Sequence, residues 1–250
     1  MMSSRSARRW LRRVLVSVLV LVLLAVVGIV AWSRIGVMSA EPAPWRAVVE
    51  DPRLSLAETD TSLLLQPAES GPARTGLVFY PGAKVEPEAY AARLTGLVIE
   101  QGMTVVIVKP TLNLALLDRR DLDVFTGSAP EVRTWLVGGH SLGGVRACQL
   151  APEADALVLF AAYCADDLST SQLPVLSIAG SEDGLSTPAD IAAHRDRLPS
   201  TAAMVEIDGA SHASFGDYGA QSGDGTATLS DQEMNAAVSA AVAELLAARS

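Results

Sequence analysis

TWLVGGHSLGGVRACQL, residues 134–150, is the stretch whose reading decides the fold. The apolar run 134–138 reads as a strand and 142–150 as a helix. Between them Gly139-His140-Ser141-Leu142-Gly143 matches G-x-S-x-G. A strand that turns sharply into a helix forces the serine backbone into a strained conformation, and glycines on either side relieve the crowding that side chains would cause. Gly144 extends the close approach of helix to sheet. The helix N-terminus then offers free amides and the positive end of its dipole beside the serine, where an anion would be stabilised. Ser141 is therefore the candidate nucleophile.

Outward from this turn, short apolar runs alternate with helical periodicity, the pattern of an α/β domain with a largely parallel sheet. Strands are expected at 62–66, 76–80, 103–108, 134–138, 156–161, 174–179 and 203–207, with an early one near 46–57. Helices are expected near 87–101, 118–126, 142–150, 188–198 and 231–248. Thr187-Pro188 with Asp190, and Ser230 with Glu233, carry helix-start signals. Only about a dozen residues separate Phe160 from Pro174, too few for a helical lid, so an open, shallow pocket suited to short acyl chains is expected. The Gly/Asp-rich loop 216–226, GDYGAQSGDGT, matches no calcium loop, and no metal or organic cofactor is expected.

A serine hydroxyl needs a base within hydrogen-bond reach. The chain has three histidines. His140 lies on the same turn as Ser141 and cannot fold back onto its hydroxyl, while His194, among Arg195, Asp196 and Arg197, reads as a solvated helix residue. His212, after the last strand, remains as the base. The imidazole needs a carboxylate to hold its tautomer. Asp183 follows the strand 174–179 at the carboxyl edge, where ligands gather in open α/β sheets. Its rivals are Asp166 or Asp167 after the preceding strand, and the adjacent Glu182. The oxyanion amides are expected from Leu142 and from Ala83, with Gly82 allowing the chain to turn. Lys84 and Lys109, the only lysines, fall at carboxyl ends of strands, so one or both could receive an anionic substrate group, or Lys84 could simply pair with a nearby acid such as Asp217 or Glu86.

Six arginines and no acid occupy the first 40 residues, which leaves 13 basic against 28 acidic residues and about −15 for the rest. So acidic a body repels phosphate backbones, which argues against nucleic acid as a partner. Residues 14–32 carry no charge and give about 28 Å of helix, close to the hydrocarbon thickness of a bilayer. The expected organisation is a basic cytoplasmic segment 1–13, a transmembrane signal-anchor 14–32, an extended linker 33–45 containing Pro42 and Pro44, and a domain 46–250 outside the membrane. The alternative is a secreted protein cleaved near Ala40. Cys148 and Cys164 show no metal-ligand spacing and read as two buried thiols, with a disulfide as the alternative.

In the order Ser141, Asp183, His212, these residues resemble the α/β-hydrolase superfamily over roughly 46–249. YPGAKVEPEAY (80–90), VIVKPTLNLALLD (106–118), GGHSLGG (138–144), GSEDGL (180–185) and SHASFGDYG (211–219) are similar to the small bacterial α/β-hydrolase-5 family. The compactness resembles that of dienelactone-hydrolase-like proteins, which use a cysteine where this chain has Ser141. The resemblance implies a lidless α/β-hydrolase fold and hydrolysis of a small ester-type substrate through an acyl-enzyme on Ser141. An acyltransferase or perhydrolase using the same residues, or a binding protein on the same fold, are the other classes it admits.

Overall fold

The computed structural model describes residues 4–69 and 74–248. They form two units, divided after Val37. The first contains one helix, α1 (Ser4–Arg34), whose 25-residue stretch Trp10–Arg34 is long and apolar enough to cross a bilayer and buries none of its most apolar window. Its valines and leucines stand exposed all round, as a helix surrounded by lipid requires.

The second unit is built on an eight-stranded sheet. In chain order its strands are β1 (Leu54–Glu58), β2 (Ser62–Pro67), β3 (Thr75–Tyr80), β4 (Thr104–Val108), β5 (Thr134–His140), β6 (Ala156–Phe160), β7 (Val175–Gly180) and β8 (Ala203–Ile207). Their spatial order is β1-β2-β4-β3-β5-β6-β7-β8. The pairs β1–β2 and β2–β4 are antiparallel, and all others are parallel. The helices are α2 (Pro42–Glu50), α3 (Ala91–Ile99), α4 (Asp123–Thr126), α5 (Leu142–Leu150), α6 (Pro188–Ala193) and α7 (Asp231–Ala247).

Helices cover both faces, so the central strands are apolar at successive positions rather than alternately. Along β6, Ala156, Val158 and Phe160 face the layer holding Leu94 and Leu97 of α3 and Val238 and Val242 of α7. Leu157 and Leu159 face the opposite layer, with Ala147 and Leu150 of α5 and Phe125 of α4. Thr187 and Ser230 both form reciprocal capping boxes, with Asp190 and Glu233. Between β6 and β7 the chain forms no helix among the described residues, so the carboxyl edge there carries no helical lid.

Four expectations change. The linker expected at 33–45 is not extended from Met38 onward. Met38 bridges Val85, the Glu41 amide donates to the Asp217 carbonyl, and Pro42 opens α2, where a missing N–H costs nothing. The early strand consequently starts only at Leu54. The helix expected at 118–126 shrinks to α4, because the buried Asp118 carboxylate receives the Arg120 amide and guanidinium and the Thr111 amide and so folds the chain back. The helix at 188–198 breaks at His194, whose ring bonds the Asp190 carbonyl and stacks on Tyr163 with centroids 4.1 Å apart. Finally, Cys148 and Cys164 are joined in a disulfide that ties α5 to the loop after β6.

Candidate active site

The turn after β5 has the geometry its glycines suggest. Ser141 sits at φ 54°, ψ −125°, a region that a side chain occupies only under strain. A Cβ on Gly139 would lie 2.4 Å from the Gly143 backbone carbon, and one on Gly143 would lie 2.0 Å from the Tyr80 carbonyl oxygen. Only glycine therefore lets α5 start this close to both its own strand and the end of β3. The Ser141 amide is held by the Phe160 carbonyl at 3.0 Å, which leaves the half-buried side chain on the carboxyl edge of the sheet.

His212 and Asp183 come together. The ring Nδ1 lies 2.8 Å from Asp183 Oδ2, and the two residues are 2% and 4% exposed. A carboxylate can only accept, so Nδ1 carries the hydrogen and Nε2 is left as the basic nitrogen. Asp183 is itself fixed, because its Oδ1 accepts from the amides of Leu185 (2.8 Å) and Ser186 (2.7 Å). Of the rivals, Asp167 accepts from the Ser169 amide and Glu182 from the Ser181 hydroxyl. The His212 ring lies 4.4 Å, centroid to centroid, from that of His140, the residue before Ser141. Among the described residues no hydrogen bond joins the Ser141 hydroxyl to His212.

The loop after β3 is fixed at nearly every polar backbone atom. The Gly82 amide donates to Tyr90 Oη at 2.9 Å, the Gly82 carbonyl accepts from Val85, and the Lys84 amide donates to the Asn113 carbonyl. In a trans peptide the N–H points opposite the C=O. The Ala83 N–H is therefore directed away from Val85, and it has no acceptor among the described residues. The Leu142 amide, first in α5, is likewise without one. Lys84 is half-buried in this loop, at φ 55°. Lys109 departs from the expectation of a substrate contact. Its ammonium lies 2.5 Å from a Glu58 carboxylate oxygen and 2.7 Å from the Thr59 carbonyl, so it clamps the β1–β2 turn.

One residue that sequence reasoning passed over is central to the arrangement. Asp224 Oδ1 accepts from the amides of His212 (3.0 Å), Gly184 (3.1 Å) and Gly225 (2.7 Å), and Oδ2 accepts from Ala213 (2.8 Å). It thereby joins the loop of His212 to the loop of Asp183. Partial burial pushes its carboxyl up, but the four amides outweigh that and hold it below the usual range. His140 is lowered too, but by burial rather than by hydrogen bonds. Burial, seconded by the neighbouring His212, keeps its imidazole well below the usual range, and it is neutral. Among the described residues no group of three or more His, Cys, Asp or Glu side chains is disposed to hold a metal ion.

The chain belongs to the alpha/beta hydrolase family, which it matches over residues 76–236. No curated protein matches it. Among solved structures it is similar to esterase 2 of Thermogutta terrifontis phosphoramylated by tabun, at 14% identity, a TM-score of 0.51, and coverage of 78% of this chain and 96% of that one. The same enzyme with propionate bound gives 15% identity, TM-score 0.51, and the same 78% and 96% coverage. TT1662 from Thermus thermophilus gives 16% identity, TM-score 0.54, and 78% and 98% coverage. At these identities the likeness establishes the fold.

Proposed function

We propose that this chain is a serine esterase acting on small ester-type substrates, with Ser141 as nucleophile, His212 as general base and Asp183 as the group that orients it. The observation that carries this reading is the buried 2.8 Å hydrogen bond from His212 to Asp183, at the same sheet edge as the strained Ser141. In the proposed cycle His212 Nε2 takes the proton of Ser141 as its oxygen attacks the ester carbonyl. The Ala83 and Leu142 amides bind the oxyanion, and His212 protonates the departing alkoxide and then activates water to release the acid. Lys84, next to Ala83 along the chain, is the candidate partner for a carboxylate carried by the substrate. The esterase with propionate bound and the same esterase phosphoramylated by tabun share this fold, and both suit a site that takes a short acyl or phosphoryl group.

The proposal places α1 across a membrane with the five arginines before residue 14 in the cytoplasm and the hydrolase unit outside. The Cys148–Cys164 disulfide supports this side of the membrane, since such bonds persist in oxidising compartments. The test is fluorophosphonate labelling and turnover of a panel of short-chain esters. Ser141→Ala is expected to abolish labelling and to lower turnover by roughly 10⁴–10⁶-fold. A folded Ser141→Ala protein that still labels refutes the assignment, and transfer to added alcohol or peroxide in preference to water reassigns the acceptor.

A further inference from the structure

Tyr90 and His140 are fully buried polar residues to which the proposed acyl-transfer cycle gives no part. The Tyr90 hydroxyl lies 2.9 Å from the Gly82 amide and 2.9 Å from His140 Nδ1. Each of these contacts falls one residue before a group in the proposed machinery, since Gly82 precedes Ala83 and His140 precedes Ser141. The donors and acceptors can be assigned. An amide can only donate, so the Tyr90 oxygen accepts from Gly82. Were His140 Nδ1 also to donate, the buried phenol hydrogen would have no acceptor. The hydroxyl therefore donates to Nδ1 and His140 carries its own hydrogen on Nε2, which is buried without a partner among the described residues; the other tautomer would leave both Nε2 and the phenol hydrogen unpaired.

We infer that Tyr90 and His140 are positioning residues that fix the oxyanion loop to the nucleophile turn and so set the distance between the Ala83 amide and Ser141. The inference rests on the serine-hydrolase reading above. One hydroxyl is bonded to both elements, so neither can shift without breaking a buried hydrogen bond. The fit is close from the loop side as well, because a Cβ on Gly82 would stand 3.0 Å from both His140 Nδ1 and Tyr90 Oη. Phe215 stacks on the other side of His140 at 5.7 Å, and His212 packs beside it. Burial holds the Tyr90 phenol well above its ordinary range, so both partners stay neutral. A neutral His140 also spares His212 a like charge 4.4 Å away when that ring takes the serine proton.

The test uses the full-length protein in detergent and reads kcat and KM on a short-chain ester, together with the rate of fluorophosphonate labelling. Removing an oxyanion donor outright costs about 10²–10³-fold, so a displaced donor in Tyr90→Phe should lower kcat and the labelling rate together by roughly 10–100-fold, with KM moved less than about twofold. His140→Leu, which keeps the volume but loses the acceptor, should do the same. His140→Asn puts an oxygen near the Nδ1 position and should recover most of the loss. Because His140 acts only through the Tyr90 hydroxyl, the double variant Tyr90→Phe/His140→Leu should be no worse than Tyr90→Phe alone. In the wild-type protein the nitrogen NMR spectrum should show His140 neutral and protonated on Nε2. A folded Tyr90→Phe protein with unchanged kcat, a loss confined to KM, additive losses in the double variant, or a His140 hydrogen on Nδ1 each overturn the inference. Should Tyr90→Phe fail to fold, the comparison of His140→Leu with His140→Asn decides it. Failure of the underlying reading looks different, because wild-type protein would then not label at Ser141 at all.

Discussion

Asp224→Asn is the perturbation that best separates a positioned site from a merely assembled one. The carboxylate accepts four backbone hydrogen bonds, three at Oδ1 and one at Oδ2. An asparagine keeps one accepting oxygen. If that oxygen takes the three-bond position, the amide nitrogen faces the Ala213 N–H, donor against donor, and one bond is lost outright. The other three fall from charge-assisted to neutral strength, a loss of about 1 kcal/mol each, and the missing bond adds about 1.5 kcal/mol. Asp224 is partly exposed, and water screens and replaces some of this, so roughly half, about 2 kcal/mol, should remain. For a domain of this size that corresponds to a fall of about 4–8 °C in Tm. The bond lost is at Ala213, the residue after His212, so the base shifts as well, and kcat should fall at least about tenfold with little change in KM. The acid limb of the stability curve gives an independent reading. The folded-state pKa of Asp224 lies below its ordinary value, so its contribution is complete above the ordinary carboxylate range and disappears as pH falls through the depressed value. Asp224→Asn should flatten that limb. Thermal melts at neutral and acid pH, with steady-state kinetics on one short ester, make the comparison. A folded Asp224→Asn protein with wild-type Tm and kcat would refute the claim that this side chain holds His212.

Two further perturbations test the frame around the site. Replacing Cys148 and Cys164 with serine opens a crosslink with a sequence separation of 16, and on the chain-entropy account this should cost about 3 kcal/mol, read as a Tm lower by roughly 6–12 °C, with the wild type losing as much under reductant. Removing residues 1–37 should leave a soluble and active domain. Extending the deletion through Glu41 removes the Met38 bonds to Lys84 and Glu86 and the Glu41 bond to Asp217. At about 1 kcal/mol per bond it should lower Tm by several degrees and reduce activity, since two of those bonds hold the loop that carries Ala83. Equal melts for the two truncations would show that residues 38–41 contribute nothing to the fold, as an extended linker would.

What could be read from the sequence depended on whether a residue's partner leaves a local trace. The strained turn at Ser141 is announced by Gly139 and Gly143, because close backbone approach admits no other residue type. The strands were legible because helices on both faces require continuous apolar runs. His212 could be reached by elimination among three histidines, and Asp183 by its place after a strand. Asp224 gave no such trace. Its four partners are backbone amides, which every residue has, and a carboxylate in a Gly/Asp-rich loop looks the same in sequence whether it faces water or gathers N–H groups. Tyr90 gave none either, because its ring packs in the core on Phe79 as any buried aromatic would, and nothing local shows where its hydroxyl goes. The linker expected at 33–45 was misread from Met38 onward because Pro42 is compatible with both an extended linker and the first turn of a helix, and only the bridge from Met38 to Val85 distinguishes them. The cysteines are alike in this respect, since their pairing depends on α5 lying beside the loop after β6, a tertiary fact that no spacing encodes. The chemistry of such a site is thus written in side chains with restricted alternatives, whereas its precision rests on side chains whose partners are main-chain groups. Substitutions at Asp224 and Tyr90 should therefore leave the motif intact and still slow the enzyme, and a search for the motif alone would not tell a fast member of the family from a slow one.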